Sequence, residues 1–211
     1  MYQWGRKDAI PGADGSTITQ ATENNNNNNA NTIPIYGANG NTLTEDANGY
    51  KKVNITAIIG GEPNTAEYTV KNPLTFICNT IEPRDWYTNN KNYQDNTLWD
   101  SNKTVSDPCP HGWKVPTDGT WGDFSEITFL LSGTEYTVSN GRSFSNMVWY
   151  PASGFRHYNG GVLHIVGSGG YCWSASGNNV NSMSLVYRTN NVHPSLIYHR
   201  AYGFPVRCVQ E

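Results

Sequence analysis

Residues 173–209 read WSASGNNVNS MSLVYRTNNV HPSLIYHRAY GFPVRCV. Two populations are interleaved in this stretch. Trp173, Leu185, Tyr187, Val192, Pro194, Ser195, Arg200, Gly203, Phe204, Val206, Arg207 and Cys208 have the character of a frame. Between them lie Gly177, Asn178, Asn179, Asn181, Ser184, Val186, Arg188, His193, Leu196, Ile197, Tyr198, His199 and Tyr202, which share no common chemistry. A catalytic centre needs a few fixed groups at fixed geometry. Four unlike residues in a row, Leu196 to His199, held between Pro194-Ser195 and Arg200, read instead as a surface whose chemistry is free to vary. Met183, Leu185 and Tyr187 alternate with Ser184, Val186 and Arg188, and a strand sends alternate side chains to opposite faces. The alternation predicts frame residues facing the core and the others facing solvent, with 196–199 and Tyr202 in loops on a rigid scaffold. On that expectation, changing Leu196 and Tyr198 to Ala leaves the melting temperature nearly unchanged.

The frame of Asn191, Val192, Pro194, Ser195, Arg200, Ala201, Gly203, Phe204, Val206, Arg207, Cys208 and Val209 resembles the variable region of proteins diversified by a retroelement. In that family an adenine-directed copying error rewrites Asn codons while a C-type-lectin-like fold stays intact. An AAC codon altered at its adenines yields Ser, Tyr, His, Arg, Gly, Val, Leu, Ile or Cys, and never Trp, Met, Lys, Glu or Gln. None of the interchangeable positions carries an inaccessible type, and from Ser174 to Val209 there is no Lys, Glu, Gln or Trp. The one Met there, Met183, falls in the frame. The competing reading is a surface loop rich in Asn by composition.

Other marks spread the resemblance along the chain. They are Tyr2 to Asp8, Asp107 to Thr117, Pro151 to Arg156, Gly170 to Ser176 and Val206 to Val209. Together they resemble the Fibrobacter succinogenes major paralogous domain of Bacteroidetes surface proteins. The resemblance implies an α+β, C-type-lectin-like fold with short antiparallel strands, two short helices, long loops and paired N- and C-terminal strands. It implies one domain over residues 1–211, within which 13–70, rich in Asn and β-prone residues, fits the pattern least. Pairing of the first and last strands would set Tyr2 to Trp4 beside Val206 to Val209 and bring Cys208 near the core edge. Cys109, between Pro108 and Pro110, lies in a stiff loop, and a Cys109–Cys208 disulfide is expected; the alternative is two unpaired buried thiols. Cys78 and Cys172 have no evident partner, and Cys172 occupies a spot that looks diversifiable.

Composition narrows the function classes. A chain of 211 residues can bury a sizeable core, and 12% aromatic with 15% charged residues suits a loop-rich fold better than a helical bundle. Net charge of −3 and the lack of a basic stripe argue against nucleic acid as a partner. No apolar run approaches the ~20 residues of a membrane helix, so no direct membrane insertion is expected. The start, Met1 to Arg6, lacks a signal-peptide stretch; because the family marks begin at Tyr2, a natural chain extending upstream is expected. Asn24 to Asn29 form a tract that buries no apolar surface and reads as a solvated loop. Short β-prone runs occupy 32–36 and 53–59. Asn72-Pro73 reads as a cap leading a helix through Phe76 and Ile77, and Trp121, Phe124, Ile127, Thr128 and Leu131 recur at helical spacing.

The functional expectation is a receptor- or adhesin-type protein, monomeric, at a cell surface or on a phage particle. Its variable surface would bind a protein or surface glycan, without cofactor or metal. Tyr and Arg supply large contacts at low ordering cost, and Asn supplies adaptable hydrogen bonds. The alternative is a pilus-tip or surface adhesin of the same fold with an invariant surface. A third reading is an enzyme akin to formylglycine-generating enzymes, with Cys172 and Cys208 as the paired thiols, but no nucleophile–base pair is evident. Glu62-Pro63-Asn64 spells a calcium-lectin sugar motif far from where that fold holds its calcium, and His193 and His199 lack nearby carboxylates to serve as metal ligands. His111, His157 and His164 read as structural or surface residues.

Overall fold

The computed structural model describes residues 1–10, 12, 35–36, 39–43, 51–135 and 139–211. The Asn24–Asn29 tract, and with it much of the 13–70 region, lies outside these residues. In chain order the strands are β1 (Tyr2–Gln3), β2 (Ile35–Tyr36), β3 (Thr42–Leu43), β4 (Lys51–Asn54), β5 (Thr75–Cys78), β6 (Trp113–Lys114), β7 (Phe129–Ser132) and β8 (Gly141–Phe144). They continue as β9 (Val148–Pro151), β10 (Phe155–Arg156), β11 (Leu163–His164), β12 (Gly169–Asn178), β13 (Asn181–Arg188), β14 (Val192–Tyr198), β15 (Gly203–Phe204) and β16 (Val209–Gln210). Among the described residues one α-helix, α1 (Ala66–Lys71), joins short 3-10 turns at Ile55–Ala57, Lys91–Tyr93 and Asp118–Trp121. The protein is mostly β with very few helical residues.

A four-stranded sheet runs β1-β15-β10-β11, and two three-stranded sheets run β12-β13-β14 and β7-β8-β9. β4 and β5 pair in parallel. The N-terminal strand does pair with the C-terminal region, but at Tyr2↔Phe204 and Gln3↔Gly203 rather than with 206–209. Gly203 permits this, because a Cβ there would lie 2.9 Å from the Phe76 ring and 3.0 Å from the Arg156 side chain. The last strand pairs instead with β6, through Val209↔Lys114 and Gln210↔Trp113. The reason is adjacent: Cys208 is bonded to Cys109, which draws the tail onto the 109–114 segment. Cys78 and Cys172 lie outside the bridge and are buried.

The central sheet is where the structure departs most from the sequence expectation. β13 is covered on both faces. Leu185 and Tyr187 join a cluster with Trp121, Phe124, Phe129, Tyr150 and Cys172. Val186, expected to face solvent, is 2% exposed and joins Trp4, Trp99, Tyr171, Trp173 and Phe204 on the other side. Ser184 is likewise fully buried and donates to Leu196 O at 3.2 Å. The period-2 pattern therefore separates two cores, as in a strand flanked on both sides. Cys172 is also core, not a displayed position. Residues 196–198 belong to edge strand β14 rather than to a loop, and Leu196 and Tyr198 are half-buried against the Trp4–Phe204 cluster, so they are not neutral for stability.

Neither helix placed from the sequence, through Phe76 and Ile77 or over 121–131, is present. After the turn at Asp118–Trp121, Ser125 N bonds to Thr128 Oγ1 at 3.0 Å and Thr128 Oγ1 donates to Asp123 O at 2.5 Å. Hydroxyls that compete for backbone groups in this way break a helix, and 129–132 continues as β7 with Ile127 84% exposed. Asn72-Pro73 ends α1 instead of starting a helix: Asn72 Nδ2 donates to Tyr68 O at 2.9 Å, and Pro73 stops the run. The four residues of β5 that follow are all buried.

The turn after β14 is anchored by Arg200, 1% exposed. Its guanidinium lies 4.3 Å over the Trp4 ring and 3.7 Å from the Asp85 carboxylate, itself 1% exposed. It donates to Asp95 O at 3.2 Å, to Asn179 O at 3.2 Å and to the Asn96 side chain. Breaking a buried pair by removing one partner typically costs about 3–5 kcal/mol. Arg200→Met should therefore lower the unfolding free energy by about 3–5 kcal/mol in chemical denaturation. The disulfide spans 99 residues, and reducing it or changing Cys109 to Ser should cost about 4.7 kcal/mol in the chain-entropy model, measured the same way.

Candidate functional site

The β14 end and the turn after it carry the densest group of partly exposed rings. Tyr198 and Tyr202 meet edge to face at 5.3 Å. Tyr202 in turn packs 4.9 Å from Tyr158 and 5.1 Å from His157. His157 stacks 5.0 Å from His164, and His199 lies parallel to Tyr202 at 6.3 Å. The fixed backing consists of Arg200, Ala201, Gly203 and Phe204, all buried. Residues 198–204 thus alternate between groups that hold the scaffold and half-exposed rings that it displays.

Hydrogen bonds determine the state of His199. Arg84 Nη1 lies 2.9 Å from its Nε2, and Asn181 Oδ1 lies 2.8 Å from its Nδ1. A guanidinium can only donate, so Nε2 accepts and Nδ1 carries the proton. The ring is neutral in this arrangement. Burial, then the Arg84 charge, lowers the His199 pKa, against a smaller opposing effect of Glu82. Burial lowers His157, and burial followed by the neighbouring His157 lowers His164. Burial pushes the Tyr202 hydroxyl up to about 12 and raises Tyr198 too, so both phenols stay protonated.

Of the positions singled out in the sequence, the structure brings together Asn181, Arg188, Tyr198, His199 and Tyr202. Arg188 reaches the cluster by donating to the Tyr171 hydroxyl at 3.1 Å. Gly177, Asn178 and Asn179 sit at the β12–β13 hairpin end, with Asn179 at a positive φ of 53°. His193 and Ile197 are exposed on β14, away from the rings, and Leu196 is half-buried. Ser184 and Val186 are interior and take no part in the surface. Sequence reasoning read His157 and His164 only as structural or surface residues and did not single out Tyr158 or Arg84. These lie far from 198–202 in the chain: the pairing of β10 with β15 brings 157–164 alongside, and Ala201 N donating to Arg84 O at 3.0 Å places Arg84.

The two other sequence motifs resolve differently. Asn64 accepts from Ala66 N at 3.0 Å and Pro63 O accepts from Thr88 Oγ1 at 2.8 Å, so Glu62-Pro63-Asn64 forms the entry to α1. No group of three or more His, Cys, Asp or Glu residues able to hold a metal occurs among the described residues. Cys208 is bridged to Cys109, and burial pushes the Cys172 thiol up to about 12, so these two residues do not form a pair of reactive thiols. Among the described residues no helix is long and apolar enough to cross a membrane.

The lowered histidines fix a pH dependence. A group whose folded pKa lies below its unfolded value of about 6.5 binds fewer protons when folded, so its full stability is present above that value. Stability is lost as pH falls below about 6.5 toward the depressed folded values. The melting temperature should drop through this window, and His199→Gln, which keeps a donor and an acceptor, should make the drop shallower. An unchanged slope in His199→Gln would exclude His199 as a contributor.

Comparison with family models, curated proteins and solved structures returned no match for this chain.

Proposed function

We propose that the chain is a ligand-binding protein of C-type-lectin-like type whose C-terminal rim is diversified by a retroelement to vary what it recognises. The observation that carries this reading is the division over 198–204, where Tyr198, His199 and Tyr202 are partly exposed while Arg200, Ala201, Gly203 and Phe204 are buried. A recognition surface of changeable side chains needs such a division, because substitutions are tolerated only where packing does not depend on them. The displayed set contains Tyr, His, Arg and Asn, a paratope-like mixture of rigid rings and adaptable polar groups. Its ligand class is a protein or a surface glycan. The Cys109–Cys208 bridge suits an oxidising, extracellular site.

Burial narrows the proposed variable set. Ser184 and Val186 drop out, since an Asn or Arg at either would place an unmatched polar group in the core. The second reading, an adhesin module with an invariant surface, gains from the same two residues and from the half-burial of Tyr198 against the core.

Two measurements separate these readings. DNA flanking the gene should contain a near-copy of the segment encoding 173–209, with adenines at the mismatches, beside a reverse transcriptase gene. Its absence would favour the invariant adhesin. In the protein, Ser at the exposed His193 or Ile197 should change stability by less than about 1 kcal/mol, whereas Val186→Asn should cost about 3 kcal/mol or more. Comparable losses at both groups of positions would sink the diversified-rim reading.

A further inference from the structure

On the opposite side of β12 and β13 from the ring cluster, a cleft of about 180 Å³ opens beside β9. Tyr150 and Tyr187 line it side by side, their rings in edge-to-face contact with centroids 6.2 Å apart. Pro151, Ser153, Cys172, Pro205, Val206 and Arg207 complete the lining. These walls offer little polarity. The Tyr187 hydroxyl is already engaged, donating to Pro151 O at 2.7 Å, and Cys172 stays a neutral thiol. The one cation lining the cleft is Arg207. Its guanidinium lies 4.2 Å over the Tyr150 ring and uses Nη1 to donate to Trp149 O at 2.8 Å. No ion pair joins it to a carboxylate of the described residues.

An apolar cavity of about 150 Å³ holds a benzene ring, and a guanidinium presents a fork that matches a carboxylate with two parallel hydrogen bonds. From this volume, these walls and this single cation, we propose that the cleft binds a small monocarboxylate with a benzene-sized aromatic or branched aliphatic body. The acid group pairs with Arg207 and the body lies in the cleft against its apolar lining of Tyr187, Pro151 and Val206. Tyr187, Val206 and Arg207 belong to the frame and no lining residue belongs to the displayed rim, so its ligand is independent of whatever the rim recognises. A phosphate monoester of the same body fits less well, because its second negative charge would meet no second cation in the cleft.

The test uses the intact, disulfide-bonded chain titrated with benzoate and with the neutral isostere benzamide, followed by amide chemical shifts. Benzoate at millimolar concentration should shift Cys172, Tyr187, Val206 and Arg207, and benzamide should bind at least about tenfold more weakly. Arg207→Gln should reduce benzoate binding by about tenfold or more and remove the preference over benzamide. If Arg207→Gln does not fold, Arg207→Lys, which keeps a charge but loses the fork, should retain the preference for the acid at reduced affinity. The absence of shifts, shifts centred elsewhere, or equal binding of acid and amide by the unaltered chain would each overturn the proposal.

Discussion

The guanidinium of Arg200 joins parts of the chain that are otherwise separate. It stacks on Trp4 near the N-terminus, faces Asp85 and Asn96 in the long middle segment, and holds the carbonyl of Asn179 at the β12–β13 hairpin. The backbone beside it continues the pattern: Trp4 N donates to Arg200 O at 3.2 Å, Ala201 N donates to Arg84 O at 3.0 Å, and Gln3 Nε2 donates to Ala201 O at 2.9 Å. Burial raises Asp85 and lowers Arg200 in spite of their mutual attraction. The pair therefore contributes more to geometry than to net stability, consistent with the high desolvation cost of interior charges. The geometry it fixes is the turn from which His199 and Tyr202 project.

Burial on both faces of β13 is the second constraint. A β-rich chain with few helices has little to cover a sheet, and here loops and small sheets do so. The 3-10 turn ending at Trp121 and the β7-β8-β9 sheet cover one face. Trp4, Trp99 and Phe204 cover the other. Gly170 shows how close the fit is, since a Cβ at that position would fall 1.9 Å from Tyr187 Cζ. Asp118 ties the same sheet at its rim, accepting from Ser176 Oγ at 2.8 Å and Ser195 Oγ at 3.2 Å.

What could be read in the sequence follows from these constraints. The β-rich character, the Cys109–Cys208 bridge and the buried roles of Trp173, Leu185, Tyr187, Arg200 and Phe204 were legible, because bulky or stiff residues in a frame have few alternatives. The outward placement of Val186 was misread because alternation shows only that neighbours point to opposite faces; it does not say that one face is wet. Helical spacing at Trp121 to Leu131 misled for a related reason: three- and four-residue intervals also arise when a turn hands over to a strand, and the decisive Ser125–Thr128 exchange is a side-chain matter. The grouping of His157 and His164 with Tyr202 was beyond reach, since it depends on β10 lying against β15.

A sheet enclosed on both sides offers newcomers only its border. Along β14 and the turn that follows, outward-facing sites come in single file, at every second residue of the strand and then at His199 and Tyr202. Exposed side chains along this border are therefore arranged linearly rather than over an area, with Tyr158 flanking the His199 and Tyr202 end.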